Sequence, residues 1–404
     1  MRTKILFLSF RFPYPEWKGG FNLRVFRLAK FLAENYDVSL LSLYEKKEEK
    51  KYLSELKKEN LFKEIFLFYH PPLREYFQTC KGIFSKFPLQ VSFYFSKNLL
   101  SFLKKIYPKY DLFYFNTLRT VEWQKVIGKK PAVLDLIDAV SLNYSRQIKY
   151  QNLFWKSILK IELPRVKEYE KKIFKNQAFL KYFITSPEDK EYLERLCQKK
   201  IENLVWISNG VREDIFFVKK IPEENLIAFF GKMDTQPNQD AVFFFSKRVF
   251  PLLKRKYKDL KFLIVGTNPT KKVRALEKIK GVKVTSFVKN PYFLLKKAKL
   301  LVFPLRFGTG VQNKLLEGMA LGKVCLIPPF CQKALPRAKS KVHLVVVPSF
   351  KPQEWKKEIE RLLFDKNERE RIGKMAKNFV EKFYRWDKIK KVFLKEIELC
   401  LKKK

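Results

Sequence analysis

At 404 residues the chain exceeds what one hydrophobic core supports, roughly 250 to 300 residues, so two domains are expected, each with enough of the 46% hydrophobic residues to bury a core. Five cysteines (Cys80, Cys197, Cys325, Cys331, Cys400), odd in number and without metal-ligand spacing, argue against a disulfide framework and for free thiols in a reducing cytosol. The net charge of +44, from 85 basic and 41 acidic residues, is either a compositional bias shared with the 40 phenylalanines or a field that draws the chain to polyanions.

The opening "MRTKILFLSF" carries an apolar run too short for a signal peptide, and no segment approaches ~18 uninterrupted apolar residues, so a cytosolic protein is expected. No zinc-finger spacing, basic zipper or RNA-reading strand signature is present, so no specific nucleic-acid partner is expected. An anionic membrane surface, met peripherally, is the better partner for the charge.

In chain order, "KILFLSF" reads as a buried strand followed by a loop with Gly19 and Gly20. A helix follows in which Leu23, Phe26, Leu28, Phe31 and Leu32 recur at helical spacing, then the alternating strand "DVSLLSL". Strand, helix and strand with short links is the parallel α/β unit. "YDLFYFN" and "PAVLDLID" repeat the strand signal, and a long basic helix is expected from about Asn143 to Lys175. In "SPEDKEYLERL", Ser186 is the expected N-cap, with Pro187 at the first helical position.

The second half repeats the pattern: "NLIAFFG", "LKFLIVG", "VKVTSFV" and "KLLVFPL" are strands separated by helix-like stretches, and the chain reads as helical after about Trp355. The expected domains are 1–210, 211–380 and a C-terminal helix over 381–404 that crosses back to the first domain. Two similar α/β halves are expected to face each other across a cleft.

Loops that leave a parallel sheet and enter a helix present free N–H groups and the positive end of the helix dipole, which suits phosphate. "KGG" at 18–20 and "GTG" at 308–310 offer one such loop per half, although glycines serve ordinary turns as well. In "PLRFGTGVQNKLLEGMALG", Gly310, Asn313, Lys314 and Glu317 fall on one helix face, and Val311, Leu315, Gly318 and Met319 fall on another. Glu317 is either a solvated carboxylate near Lys314 or the acceptor of a sugar diol, with Lys314 neutralising phosphate.

These segments, with "VLDLIDAVS", "ISNGV" and "FFGKMDTQPNQDAVFFF", resemble the retaining family 4 of the glycosyl transferases group 1, nearest to the sugar transferases of exopolysaccharide clusters. The resemblance implies an α/β GT-B architecture, two Rossmann-like domains with parallel sheets facing a central cleft. It also implies transfer of a hexosyl-type unit from a nucleotide-sugar donor to a glycan or lipid-linked acceptor, in polysaccharide or glycolipid biosynthesis.

Residue by residue, the resemblance gives Glu317 to the donor ribose and Lys232 to the diphosphate, with Gly231 beside it and Arg306 and Lys314 supplying further charge. Gly308, Thr309, Gly310 and Asn313 complete the donor loop. Thr309 stands where the family has a glutamate, so the donor sugar is left open; with Gln312 three residues on, it also fits a capping box. Ile137 stands where many members have a histidine, leaving the neighbouring Asp138 either to orient a sugar hydroxyl or to cap a helix.

The implied chemistry is a front-face substitution that needs positioning and positive charge rather than a histidine. No Asp-x-Asp pair is present, so metal independence and no cofactor beyond the nucleotide-sugar are expected. The aromatic and basic stretch from Phe84 to Tyr107 is either a docking surface or an ordinary helix packed inward. Two other readings compete: a degenerate GT-B scaffold held on a membrane or polyanion, and a sugar-nucleotide epimerase, which needs more acid/base side chains than the sequence offers.

Overall fold

Short apolar runs in both halves of the chain pair in parallel, as expected for strands that must return through a helix. The computed structural model describes residues 2–71 and 86–402. The chain divides into two compact units, Met1–Ile207 with Lys390–Lys404, and Ser208–Ile389.

The first unit contains strands β1 (Lys4–Ser9), β2 (Asp37–Tyr44), β3 (Ile65–Tyr69), β4 (Leu112–Asn116), β5 (Ala132–Ile137), β6 (Lys181–Ile184) and β7 (Leu204–Trp206). They form one parallel sheet in the order β3-β2-β1-β4-β5-β6-β7. Both β1 and β4 are buried along almost their whole length, as strands covered on two faces must be. The helix Gly20–Asn35 returns from β1 and buries Leu23, Phe26, Leu28, Phe31 and Leu32.

The helix Pro187–Cys197 starts where its cap chemistry places it, with the Ser186 hydroxyl accepting from the Asp189 amide at 3.1 Å. The expected long helix is broken instead into Val140–Gln147 and Leu153–Lys175. Asn152 breaks it, because its side chain caps the second segment by accepting from the Trp155 amide at 3.0 Å.

At the end of the chain, the helix Trp386–Leu401 sets Phe393 against Tyr114 and Phe183 of the first sheet, and Lys181 pairs with Glu396 at 2.9 Å.

The second unit contains β8 (Leu226–Phe230), β9 (Lys261–Val265), β10 (Val282–Val284), β11 (Leu300–Val302), β12 (Val324–Ile327) and β13 (Val345–Val346). They form a parallel sheet in the order β10-β9-β8-β11-β12-β13. The expected helix over "DAVFFFSKRVFPLLKRKY" runs from Gln236 to Lys254, with a wide turn at Phe245–Val249 just before Pro251. The helix Asn313–Ala320 buries Leu315, Leu316, Gly318, Met319 and Ala320 against this sheet.

The first unit is tied internally by a fully buried ion pair. Arg24 donates Nε to Asp135 Oδ2 at 2.8 Å and Nη2 to Oδ1 at 3.0 Å, and its Nη1 reaches the Ile207 carbonyl at 2.9 Å. Tyr114 completes the set by donating to Asp135 at 3.2 Å. Replacing Asp135 with Ala strands the guanidinium and is expected to cost about 3–5 kcal/mol. Hydrogen exchange checks this: amides of β4, β5 and β6 exchange faster in the variant, while those of β8 to β12 keep the wild-type rate.

Candidate functional site

In an open parallel sheet, ligands sit beyond the carboxyl ends of the strands where the winding direction reverses. In the second unit that point lies between β8 and β11, because β9 and β10 extend one edge while β12 and β13 extend the other. The loops beyond it carry Gly231 and Lys232 after β8, and Arg306 to Gly310 after β11.

Gly231 has φ +154°, and a Cβ there would lie 2.8 Å from Asn238 Nδ2. That amide donates to the Lys232 carbonyl at 2.8 Å, and its Oδ1 accepts from Lys314 Nζ. Asn238 therefore joins the β8 loop to the helix Asn313–Ala320. The loop is also locked to its other neighbour: a Cβ on Gly266 would lie 2.0 Å from the Gly231 carbonyl oxygen. The Lys232 ammonium is more open, 3.4 Å from Asp234 and 40% exposed.

Lys314 and Glu317 share the helix face that the sequence assigned them, both half-buried, but they take different partners. Lys314 reaches Asn238 and lies 5.4 Å over the Phe229 ring, and burial lowers its pKa to about 8. Glu317 meets the Tyr292 hydroxyl, and burial pushes its pKa up to about 7 against the opposing pull of Arg212 and Tyr292. Asn313 on the same face accepts from Asn209 Nδ2 at 2.8 Å.

Two site expectations come out differently. Arg306 forms a two-pronged pair with Asp240, its Nε 2.7 Å from Oδ2, so its charge clamps the β11 loop to the helix Gln236–Phe244 rather than standing open to phosphate. No capping box forms at Thr309. The helix starts at Asn313 with Gln312 as N-cap, because Gly310 turns the chain with φ +65°, and the Gln312 amide donates to the Thr309 carbonyl at 3.0 Å instead. Gly308 belongs to the same loop, with φ +143°.

In the first unit, Gly19 and Gly20 stand at the start of the helix that follows β1, at the reversal between β1 and β4. Asp138 follows β5 and does not cap the next helix. Ala139 is the N-cap residue, its amide donates to Asp189 Oδ1 at 3.1 Å, and Glu170 accepts from the Ser141 amide at 3.2 Å. Before it, Ile137 adopts φ +69°, an unfavourable backbone for a β-branched residue, held by bonds from its amide to Asp135 Oδ1 and from Thr185 to its carbonyl. His70 is packed between the Phe93 and Tyr94 rings, and burial lowers its pKa.

Sequence reasoning missed Asn238, Tyr292 and Asn209 as site residues. Asn238 lay in the quoted "QPNQD" but drew no notice, since its partners are 6 and 76 positions away. Tyr292 sits on a separate short helix, Tyr292–Lys297, and carried no signal.

Residues 224–365 match the family described as Glycosyl transferases group 1. No curated protein matches the chain. Among solved structures, Anabaena HepE in complex with UDP and glucose superposes with a TM-score of 0.69 at 14% identity, covering 98% of this chain and 99% of that one. Sucrose-phosphate synthase from Thermosynechococcus elongatus gives 0.72 at 15% identity, covering 100% of both chains. S. aureus TarM, solved with UDP and α-GlcNAc-glycerol, gives 0.70 at 12% identity, covering 99% and 100%. The chain has the GT-B fold. Its second GT-B unit holds the matched segment, together with the partners described for Lys314, Asn238 and Glu317.

Glu317 carries a stability signature. Its folded pKa of about 7 lies above the ordinary value of 4.5, so between these values the folded chain keeps a proton that the unfolded chain has lost, and stability falls as pH rises through that window. Glu317→Gln is therefore expected to stabilise the ligand-free protein by about 1–2 kcal/mol at about pH 8, with the two proteins converging near about pH 4. Thermal unfolding across this range is the check, and a variant no more stable than wild type at the alkaline end would contradict the desolvated carboxylate.

Proposed function

We propose that this protein is a glycosyltransferase that moves a sugar from a nucleotide-sugar donor to a glycan or lipid-linked acceptor, with retention at the anomeric carbon and without a metal ion. The observation that carries this reading is the placement of Lys314 and Glu317 on one helix face at the strand reversal, joined to the Lys232 loop through Asn238. The segment holding them matches the glycosyl transferases group 1, and the superposed HepE and TarM structures contain UDP, which favours a uridine nucleotide.

Each group has a distinct task. The Glu317 carboxylate accepts hydrogen bonds from the ribose diol, and Lys232 and Lys314 neutralise the diphosphate. In the proposed front-face step, the acceptor oxygen bonds to the anomeric carbon as its bond to the diphosphate breaks on the same side. The acceptor proton passes to the departing diphosphate oxygen, so no protein base is required and the lysines offset the charge that develops. Thr309, in place of the family's glutamate, leaves the donor sugar to be identified by experiment. A role in exopolysaccharide assembly is the biosynthetic setting we propose.

Titration of wild type with UDP-, GDP-, ADP- and CMP-sugars tests the donor site. One nucleotide class is expected to bind, and Glu317→Ala and Lys232→Ala each to weaken it at least tenfold, the loss of one or two charge-assisted hydrogen bonds at about 1.5–3 kcal/mol each. If no nucleotide sugar binds, the transferase reading gives way to a GT-B scaffold without transfer.

A second expectation follows from the free-protein pKa values. Binding needs Glu317 ionised and Lys314 protonated, so affinity rises with pH through about 7 and falls again through about 8. Calorimetry across this range reads the bell directly. Glu317→Gln is expected to remove its acidic limb and Lys314→Met its basic limb, each at lower affinity.

A further inference from the structure

The stretch from Phe84 to Tyr107, a docking candidate on sequence, packs inward over its described part: the helix Lys97–Ile106 buries Leu99, Leu103 and Ile106, and Val91 and Tyr94 are buried before it. Residues 84 and 85 lie outside the described residues.

The exposed apolar surface lies elsewhere, on the first turns of the helix Leu153–Lys175. Leu153 is 84% exposed, Phe154 68%, Trp155 45% and Ile161 56%. Single exposed apolar residues are ordinary, but four within nine positions on one helix end are not. The remainder of this helix behaves normally, burying Leu159, Val166, Tyr169, Ile173 and Phe174. Phe154 and Trp155 meet edge-on with centroids 5.5 Å apart, so they form one aromatic knob.

Along the chain, the charge next to this knob is of one sign. Lys149, Lys156 and Lys160 flank it, and no acidic residue occurs from Lys149 to Ile161. Glu162, the next, is buried and holds the Leu89 amide at 2.7 Å and Arg165 at 3.1 Å. Lys156 and Lys160 lie one turn apart on the stripe of Leu153, and Phe154 and Ile161 form the next stripe round the helix.

We propose that this helix end is a membrane-contact surface, which seats Leu153, Phe154, Trp155 and Ile161 in the interfacial layer of a bilayer while Lys149, Lys156 and Lys160 meet anionic headgroups. Aromatic and aliphatic side chains beside lysines, without acids, are what an interfacial helix presents, since the rings partition at the headgroup boundary and each lysine adds attraction to the negative surface. The chain's charge of +44 acts in the same direction over longer range. A single-stranded nucleic acid would use the lysines and stack bases on Phe154 and Trp155, but would leave the aliphatic Leu153 and Ile161 in water.

The test is flotation of the full chain with vesicles of phosphatidylcholine alone and of phosphatidylcholine mixed with phosphatidylglycerol, with no donor or acceptor present, so the result is independent of sugar transfer. Wild type is compared with the triple variant Leu153→Ser, Phe154→Ser, Trp155→Ser and with the double variant Lys156→Glu, Lys160→Glu, each checked for an unchanged thermal unfolding midpoint. Wild type is expected to float with the anionic vesicles. The triple variant is expected to lose at least roughly tenfold in partitioning, and the lysine variant a similar factor that shrinks as salt is added. Triple-variant flotation equal to wild type overturns the proposal and leaves only the general charge. So does wild-type binding to an RNA homopolymer with no vesicle binding, or self-association that the triple variant abolishes without any flotation of wild type.

Discussion

Parallel pairing of β8 with both β9 and β11 is the constraint on which the candidate site depends. A parallel strand cannot return by a tight turn, so each connection crosses a face of the sheet, and connections on the two sides of β8 depart in opposite directions. Their first residues diverge, and the amides of Gly231 and Met233 turn to the β9 side, donating to the Val265 and Thr267 carbonyls at 3.0 and 2.8 Å. The helix Asn313–Ala320 packs Leu315 and Leu316 on the sheet, which sets Lys314 and Glu317 together on its half-buried opposite side.

Charge in this basic chain is distributed with economy. Asp240 engages Arg306, Asp234 faces Lys232, and Glu223 serves both Lys323 and Arg369, so acids of the second unit are matched to particular cations. Lys314 departs from that pattern, taking a neutral amide and an aromatic face. Two buried glutamates are pushed to about 7 by burial, yet their settings differ. Glu170 is saturated by the Ser141 hydroxyl and amide and serves the start of the helix Val140–Gln147, whereas Glu317 faces a tyrosine hydroxyl and keeps capacity for further donors.

The strands β1, β2, β4, β5 and β8 to β11 were legible in the sequence because a strand buried in a parallel sheet is a short apolar run between turn signals, whereas β3, β6, β7, β12 and β13 went unidentified. The Ser186 cap and the polar face of Lys314 and Glu317 were legible because their information is local, within one turn of helix. What failed was nonlocal or depended on one dihedral. Asn152 divides a helix whose composition favours continuity, Gly310 accompanies a helix start three residues later than expected, and Asp240 claims Arg306 from 66 positions away. The GT-B fold came from pattern and resemblance together, while the contacts of Asn238 and Tyr292 required the tertiary structure.

The loops after β8 and β9 meet backbone to backbone at Gly231 and Gly266, with no room between them for even one methyl group. Neither position can therefore drift alone. A side chain gained at Gly266 would displace the carbonyl of Gly231, carry Lys232 and the amide of Asn238 with it, and be felt at Lys314 on another helix. Variation in this part of the second unit must instead proceed through other positions, because the two glycine loops are inherited as a single piece.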